Sequence, residues 1–468
     1  MRVPSGLPLV GAALLSILLL SACVNLAPAW QRPEAPVAAA WPAASAVAPA
    51  GAQDAADLGW RDVVVDDRLR RVIEFALADN RDLRATVLAV EQARAQYRIQ
   101  DAASLPSVSA GAGVTRSGAR GVASTDFSAS VGLSGYELDL FGRVKNADDA
   151  ALQAWLASTE GARAARLALV AQVATQWLAL AADAQTLQLD ERMLALDDKS
   201  LDLNRRMHDL GAIKGLPVVQ AQAAFEGARG AVAAGRSQLL LDRNALTLLV
   251  GRELPDDLLP RQALPATSAA LVGLPAGVPA RVLQQRPDVL AAEHSLQQAQ
   301  LNIGVARAAF FPTITLTGSA GTASTELSGL FKSGSGSWSF GPSISLPIFN
   351  GGALQAQLDS ARTGRDIALA NYDKAVQTAF REVADALAVR STLAERVAAQ
   401  QAQTRASEAA LRDADALFRN GSVSYLEVLT AQRSLYGSQQ AEITLNLAEQ
   451  DNRIALYKAL GGGWKESN

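Results

Sequence analysis

Few side chains in this sequence carry groups that could make or hold a bond. Cys23 is the sole cysteine, which rules out an internal disulfide and a cysteine-built metal site. The two histidines, His208 and His294, lie in separate helical contexts and read as surface or tip residues. No His-Glu-x-x-His, Walker-type lysine loop or Gly-x-Ser-x-Gly elbow is present. The sequence offers no catalytic constellation, and no metal or cofactor is expected. Two reactive groups remain of interest: the Cys23 thiol, and the Glu427 carboxylate in Ser424-Tyr425-Leu426-Glu427, which has the Ser-x-x-Glu form of a capping box.

Cys23 ends an N-terminal stretch with the layout of a secretory signal: Arg2, an apolar run from Leu7 to Leu20, then Ser21-Ala22. The run is too short, and too soon followed by proline-bearing sequence, for a membrane span. Leu20-Ser21-Ala22-Cys23 resembles a bacterial lipobox. That resemblance implies a cysteine diacylated on sulfur, cleaved to become the first residue and acylated on its amine. The alternative is an ordinary signal with an incidental cysteine. Three acyl chains hold a protein in a membrane far better than one. Val24, where an aspartate would favour inner-membrane retention, points to the outer membrane. Residues 24 to 57, with Pro28, Pro33, Pro36, Pro42 and Pro49 among alanines, read as an extended tether.

The elements that follow are mainly helical. The chain has 468 residues, is 49% hydrophobic but only 5% aromatic, and carries a net charge of −3. Such alanine-rich composition suits close-packed helices. The near-neutral charge, with no basic run, excludes nucleic acid as an expected partner. A helix is expected from about Asp66 to Ser104, broken near Asp79-Asn80. From Asn146 to Asp209, Val170, Val173, Trp177, Leu180, Ala184 and Leu187 alternate gaps of three and four, and Leu194 and Leu201 extend the seven-residue beat. About 64 helical residues span roughly 95 Å. A second such run covers Gly352 to Arg419.

Between the helices the period falls to two. Val108, Ala110, Ala112 and Val114 alternate with small or polar residues, as do Phe127, Ala129, Val131 and Leu133. Later come Ile314, Leu316, Gly318 and Ala320, then Trp338, Phe340, Ile344 and Leu346. Charges are confined to the loops: Arg116, Arg120 and Asp126 in the first pair, Glu326 and Lys332 in the second. Tyr136, Phe141, Phe310, Phe311 and Phe349 gather at the opposite ends. Charge-free strands with an aromatic girdle suit transmembrane hairpins, with a soluble half-buried sheet as the alternative.

The pattern occurs twice. Pro106 and Pro312 open the hairpins, Phe141 and Phe349 close them, Gly211 and Gly421 mark far turns, and Gly251 and Gly461 end return helices. Gln222 and Gln432 keep the same offset. The expected fold is mainly α with membrane β, a duplicated half of helix, β-hairpin, long helix, turn and return helix. The first repeat runs over 58–251, with its hairpin near 105–140 and its tip near 207–217. A linker over 252–279 leads to the second repeat, 280–463, with its hairpin near 312–348 and its tip near 418–427. Residues 464–468 form a tail. Four strands per chain cannot leave edges unpaired in lipid. Two chains would give an eight-stranded barrel plugged by side chains, three a twelve-stranded barrel with a lumen. A trimeric open pore is the simplest closure.

Four stretches then carry a family resemblance: Tyr136-Glu137-Leu138-Asp139-Leu140-Phe141-Gly142-Arg143, Arg286-Pro287-Asp288-Val289, Ala308-Ala309-Phe310-Phe311-Pro312, and Tyr457-Lys458-Ala459-Leu460-Gly461-Gly462-Gly463-Trp464. The chain from Leu20 onward resembles TolC-like outer-membrane efflux ducts, in the lipoprotein branch serving resistance-nodulation-division pumps. The resemblance implies a homotrimer in the outer membrane of a Gram-negative bacterium, a twelve-stranded β-barrel above a twelve-helix periplasmic α-barrel. It implies a periplasmic adaptor and an inner-membrane pump as partners. Alternatives are a duct for an ABC-type protein exporter and a lipid-anchored periplasmic coiled-coil scaffold.

By the same resemblance, Gly421-Ser422-Val423 and its repeat partner Gly211-Ala212-Ile213 are adaptor-contacting tips, though both glycines also suit plain helix C-caps. Leu426 and Glu427 match the narrowest ring, where three carboxylates would attract cations. The capping box remains the competing role for Glu427. Thr430 stands where members often carry Asp, and Phe418 where some have a latching Tyr. A gate held by Leu426 and Phe418 packing is therefore expected.

Overall fold

The computed structural model describes residues 24–38, 41, 59–119, 121–260 and 280–462. The signal sequence, Cys23, most of 39–58, residues 261–279 of the linker and the tail with Trp464 lie outside the described residues. The element order repeats. Helices α1 (Trp60–Val63), α2 (Asp67–Asp79) and α3 (Arg81–Ala102) lead into strands β1 (Val108–Ala119) and β2 (Val122–Leu138), helix α4 (Arg143–Asp209) and helix α5 (Gly215–Val250). The second half runs α6 (Pro287–Ala308), β3 (Thr313–Ser324), β4 (Gly336–Ser345), α7 (Ala353–Arg419) and α8 (Tyr425–Ala459). Both long helices have 67 residues. The expected break at Asp79-Asn80 is present. Asn80 adopts extended backbone and bonds the carbonyl of Leu249 through Nδ2 at 2.7 Å.

The chain divides into two compact units. The first comprises Met1–Ala35, Leu88–Glu160 and Leu290–Lys374 and contains the sheet. Its four strands run β1-β2-β3-β4, each neighbour antiparallel. The register sorts side chains by type. Val108, Ala110, Ala112 and Val114 pair with Leu133, Val131, Ala129 and Phe127, and Ile344, Phe340 and Trp338 pair with Ile314, Gly318 and Ala320. Because strand side chains alternate faces, these form one apolar face. Ser109, Ser128, Ser130, Thr315, Thr317, Ser319, Ser339 and Ser343 form the other, with Oγ contacts of 2.7 Å between Thr315 and Ser343 and 2.9 Å between Ser319 and Ser339. Trp338 and Ile344 are 82% and 71% exposed, so the apolar face is left uncovered by the described residues. A Cβ on Gly321 would run into the backbone carbonyl of Ala129, so this position needs glycine to pair β2 with β3.

One expectation is corrected here. Residues 24–34 carry no helix or strand, but they do not stand off the folded body as a tether would: they lie against α6 and the start of α4. Arg307 Nη1 donates to the Leu26 carbonyl at 3.0 Å, Gln300 Nε2 to Ala29 at 2.8 Å, and Asn146 Nδ2 to Asn25 Oδ1 at 2.8 Å. Arg32 grips Glu293 through two bonds of 2.9 and 2.8 Å. Alanine and proline composition suggested a loose chain; the anchoring donors come from residues remote in sequence. His294, read as a surface residue, is half-buried, its Nδ1 lying 2.7 Å from Gln153 Oε1.

The second unit comprises Pro36–Val87, Gly161–Val289 and Ala375–Asn468. Leu69, Val72, Ile73 and Ala76 of α2 sit at i, i+3, i+4 and i+7 and are fully buried. Val170, Val173, Trp177, Leu180 and Leu201 of the expected seam are buried too. Trp177 also donates from Nε1 to the Leu258 carbonyl at 3.0 Å, so the start of the linker packs in this core.

Candidate functional site

Both tips are built alike. At the end of α4, Gly211 (φ +75°) donates to the His208 carbonyl at 2.8 Å and Ala212 to Met207 at 2.8 Å. At the end of α7, Gly421 (φ +72°) donates to Phe418 at 2.9 Å and Ser422 to Leu417 at 2.9 Å. These paired bonds are Schellman motifs, which need a left-handed residue after the helix. The two glycines therefore do cap helices, and in doing so they hold Ala212-Ile213 and Ser422-Val423 at the turns. His208 closes the first turn, its Nδ1 3.1 Å from the Ile213 carbonyl.

Ser424 is the N-cap of α8, but its side chain makes no capping hydrogen bond. The Ser-x-x-Glu box is thus not formed; Glu427 is joined to Ser424 only through its backbone N–H at 3.1 Å. Its carboxylate is exposed, Leu426 is 62% exposed, and Thr430 turns its hydroxyl back to the Leu426 carbonyl at 2.8 Å. The Phe418 ring packs on Tyr425, centroids 5.1 Å apart. Leu426 and Glu427 are left side by side on the first turn of α8, facing outward from this chain.

Above the tips in sequence, the seam carries polar residues that apolar periodicity does not reveal. Asp190, Asp197 and Asn204 are buried at seven-residue spacing, three positions after Leu187, Leu194 and Leu201. The heptad beat itself was the available signal, since it assigns these positions to the same seam. Asp190 accepts from the Tyr436 hydroxyl at 2.6 Å, joining α4 to α8. Burial first, and then that carboxylate, push the Tyr436 hydroxyl up to about 12. Burial also raises Asp197, opposed by the charge of Arg433.

In the sheet-bearing unit, Asp139 caps α4 by accepting from the backbone N–H groups of Arg143 at 2.7 Å and Lys145 at 2.8 Å. Arg143 grips Glu137 on β2, so the stretch Tyr136–Arg143 is a strand-to-helix joint. The aromatic residues stand at the strand ends. Phe141 stacks on Phe311 at 4.6 Å, Tyr136 is half-buried, Phe310 is 38% exposed and Phe349 91%. In the other unit, buried Arg286 donates to Asp288 at 3.0 and 2.7 Å, to Glu382 at 2.8 Å and to the Ala459 carbonyl at 2.7 Å. A Cβ on Gly461 would touch Arg286 Cγ at 2.9 Å. The Arg-Pro-Asp-Val stretch and the chain's Leu-Gly-Gly ending thus pack on one another. Among the described residues no cluster of histidine, cysteine or carboxylate side chains could hold a metal ion.

Arg116 and Asp126, expected in the first loop, stand instead within the strands, paired with Thr125 and Thr115 near the turn end of the first hairpin, while β3 and β4 carry no charge. A sheet with one apolar and one small polar face, its charges near the strand ends, joined to paired long helices, defines a β- and α-built outer-membrane channel chain. The chain belongs to the outer membrane efflux protein family, whose profile matches residues 72–252 and again 278–462. It is 43% identical over 453 residues to the toluene efflux pump outer membrane protein TtgC of Pseudomonas putida, covering 94% of this chain and 93% of that protein. It is 41% identical over 457 residues to the cation efflux system protein CusC of Escherichia coli, covering 96% and 97%. The open-state crystal structure of the Neisseria gonorrhoeae MtrE outer membrane channel superposes with a TM-score of 0.87 at 39% identity, covering 94% and 99%. Outer-membrane location follows, and the soluble-sheet and periplasmic-scaffold alternatives fall away.

Proposed function

We propose that three copies of this chain form the passive exit duct of a tripartite efflux pump. The observation that carries this reading is the sheet. Its edge strands β1 and β4 have no partner on their outer sides among the described residues, and open edges are not tolerated in lipid. Closure by copies of the same chain satisfies every edge, turns the apolar face to lipid and leaves the serine- and threonine-rich face to water. Acylated Cys23 anchors each copy. The adaptor docks at the turns Gly211-Ala212-Ile213 and Gly421-Ser422-Val423, and an inner-membrane resistance-nodulation-division transporter supplies the energy.

Leu426 and Glu427 form the resting aperture in this assembly, three carboxylates beside three leucines. The unformed capping box supports this, since it leaves the Glu427 carboxylate free of a helix-capping role. Relatives of nearly equal identity bear names for toluene and for cation efflux, which supports placing cargo choice outside this chain. The test is single-channel conductance of the purified protein beside Leu426→Gly/Glu427→Ala. We expect a small, cation-preferring conductance that rises several-fold in the variant and loses its cation preference. Unchanged conductance in the variant would move the aperture elsewhere; none from either, in trimers confirmed by mass, would discard the duct.

A further inference from the structure

In the sheet-bearing unit, the docked N-terminal segment and two helices line an open cavity of about 400 Å³. Pro28, Ala29 and Gln31 form one wall, Gln300, Ile303 and Arg307 of α6 a second, and Arg362 and Arg365 of α7 a third. Three guanidinium groups from two helices therefore face one space. None is fully used. Arg307 spends Nη1 on the Leu26 carbonyl, Arg362 has only a 3.4 Å bond from Nη1 to Asp359, and Arg365 Nε lies 2.9 Å from Asp366. Each guanidinium has five N–H donors, so most remain free. Asp359 and Asp366 back the arginines but are not among the lining residues.

Such a fork set suits a group with several acceptor oxygens and one or more negative charges, which arginine binds in bidentate fashion. The place narrows the choice. Arg307 is three residues, about one helical turn, before Phe310, whose neighbour Phe311 stacks on Phe141 at the end of the sheet. The carbonyl that Arg307 holds belongs to Leu26, three residues after Cys23, a chain reach of roughly 10 Å. A lipid anchor on Cys23 would therefore set this cavity close beneath the headgroups of the periplasmic leaflet.

We propose that the cavity lined by Arg307, Arg362 and Arg365 binds the phosphate of an anionic phospholipid headgroup, adding a bound lipid beside the covalent one. The inference rests on the membrane placement of the sheet in the duct reading. Its chemistry can be tested apart from that reading with the purified full-length trimer in detergent. The probes are short-chain phosphatidylglycerol, short-chain phosphatidylcholine and inorganic phosphate, with binding followed by calorimetry. Conductance of the same preparation reports separately on the duct.

We expect phosphatidylglycerol to bind and the Arg362→Gln/Arg365→Gln variant to bind it about tenfold or more weakly, the scale of one or two lost charge-assisted bonds. Arg362→Lys/Arg365→Lys, which keeps charge but not the fork, should fall between. Both variants must keep the wild-type conductance, which also shows that they fold. Equal affinity for inorganic phosphate would make this a free-anion site and overturn the lipid assignment. Equal affinity for phosphatidylcholine, or binding unchanged in the glutamine variant, would overturn it as well. No lipid binding with normal conductance would discard the cavity alone; no conductance would discard the duct.

Discussion

Asp183 faces Asp242, which is buried at 7% exposure and accepts through Oδ1 from Gln238 Nε2 at 3.1 Å and Gln176 Nε2 at 3.3 Å. Asp242 Oδ2 has no other donor, so the pair is satisfied only when Asp183 carries a proton. Burial chiefly, then the hydrogen bond and charge of Asp242, push Asp183 up to about 6. An unfolded aspartate titrates near about 3.9. The folded chain thus binds the extra proton between these values, and its stability falls as pH rises from about 4 through about 6. Asp183→Asn should flatten that slope and raise the unfolding temperature at pH above the window by about 1–3 °C. Thermal unfolding across that window checks this, and a slope equal to wild type would refute it. Arg286 is a second such case. Arg286→Gln strands the Ala459 carbonyl and two carboxylates, with an expected cost of about 2 kcal/mol after allowing for the partial exposure of Asp288 and Glu382. A lowered unfolding midpoint with secondary structure intact is the expected readout. Arg286-Pro287-Asp288 was visible in the sequence as a motif. Its partners Glu382 and Ala459, 96 and 173 residues away, were not.

At the scale of elements, period and punctuation were strongly legible. The gaps of three and four in α4 and the alternation in all four strands are local properties, so boundaries fell within a few residues of expectation. The glycines of the four capped helix ends, Gly211, Gly251, Gly421 and Gly461, could also be placed, because only glycine enters the left-handed region at little cost. Less legible was the register between β2 and β3, which joins hairpins from different repeats and contains an irregularity between Leu133 and Tyr136. That register makes Gly321 indispensable. Gly321→Val should block β2–β3 pairing and abolish heat-modifiable trimers, whereas Gly336→Val, whose Cβ would meet nothing within 4 Å, should preserve them. Gel mobility of the two variants, with and without heating, decides between them.

For the whole molecule, the N-terminal segment is held by protein contacts as well as by any lipid. Arg32 with Glu293, Arg307 with Leu26 and Gln300 with Ala29 would all survive loss of the anchor. With Cys23 acylated as proposed, Cys23→Ala should remove the acyl mass while trimers in detergent persist within about a factor of two, a difference of about 0.4 kcal/mol. Mass spectrometry of the trimer tests both halves of this expectation. Collapse to monomers would show that acylation, and not the docked segment, sustains assembly.

The sequence by itself determined the helix and strand types, their order, the duplication, the two-faced strands and the turn positions. Each rests on residues within a few positions of one another, or on an identical pattern recurring. The tertiary structure decided which polar groups meet. Tyr436 reaches Asp190 across 246 residues, Arg307 holds Leu26 across 281, and the Ser424–Glu427 cap, one of two roles open to Glu427, is left unmade. Such contacts depend on how remote segments are brought together, and no local period encodes that.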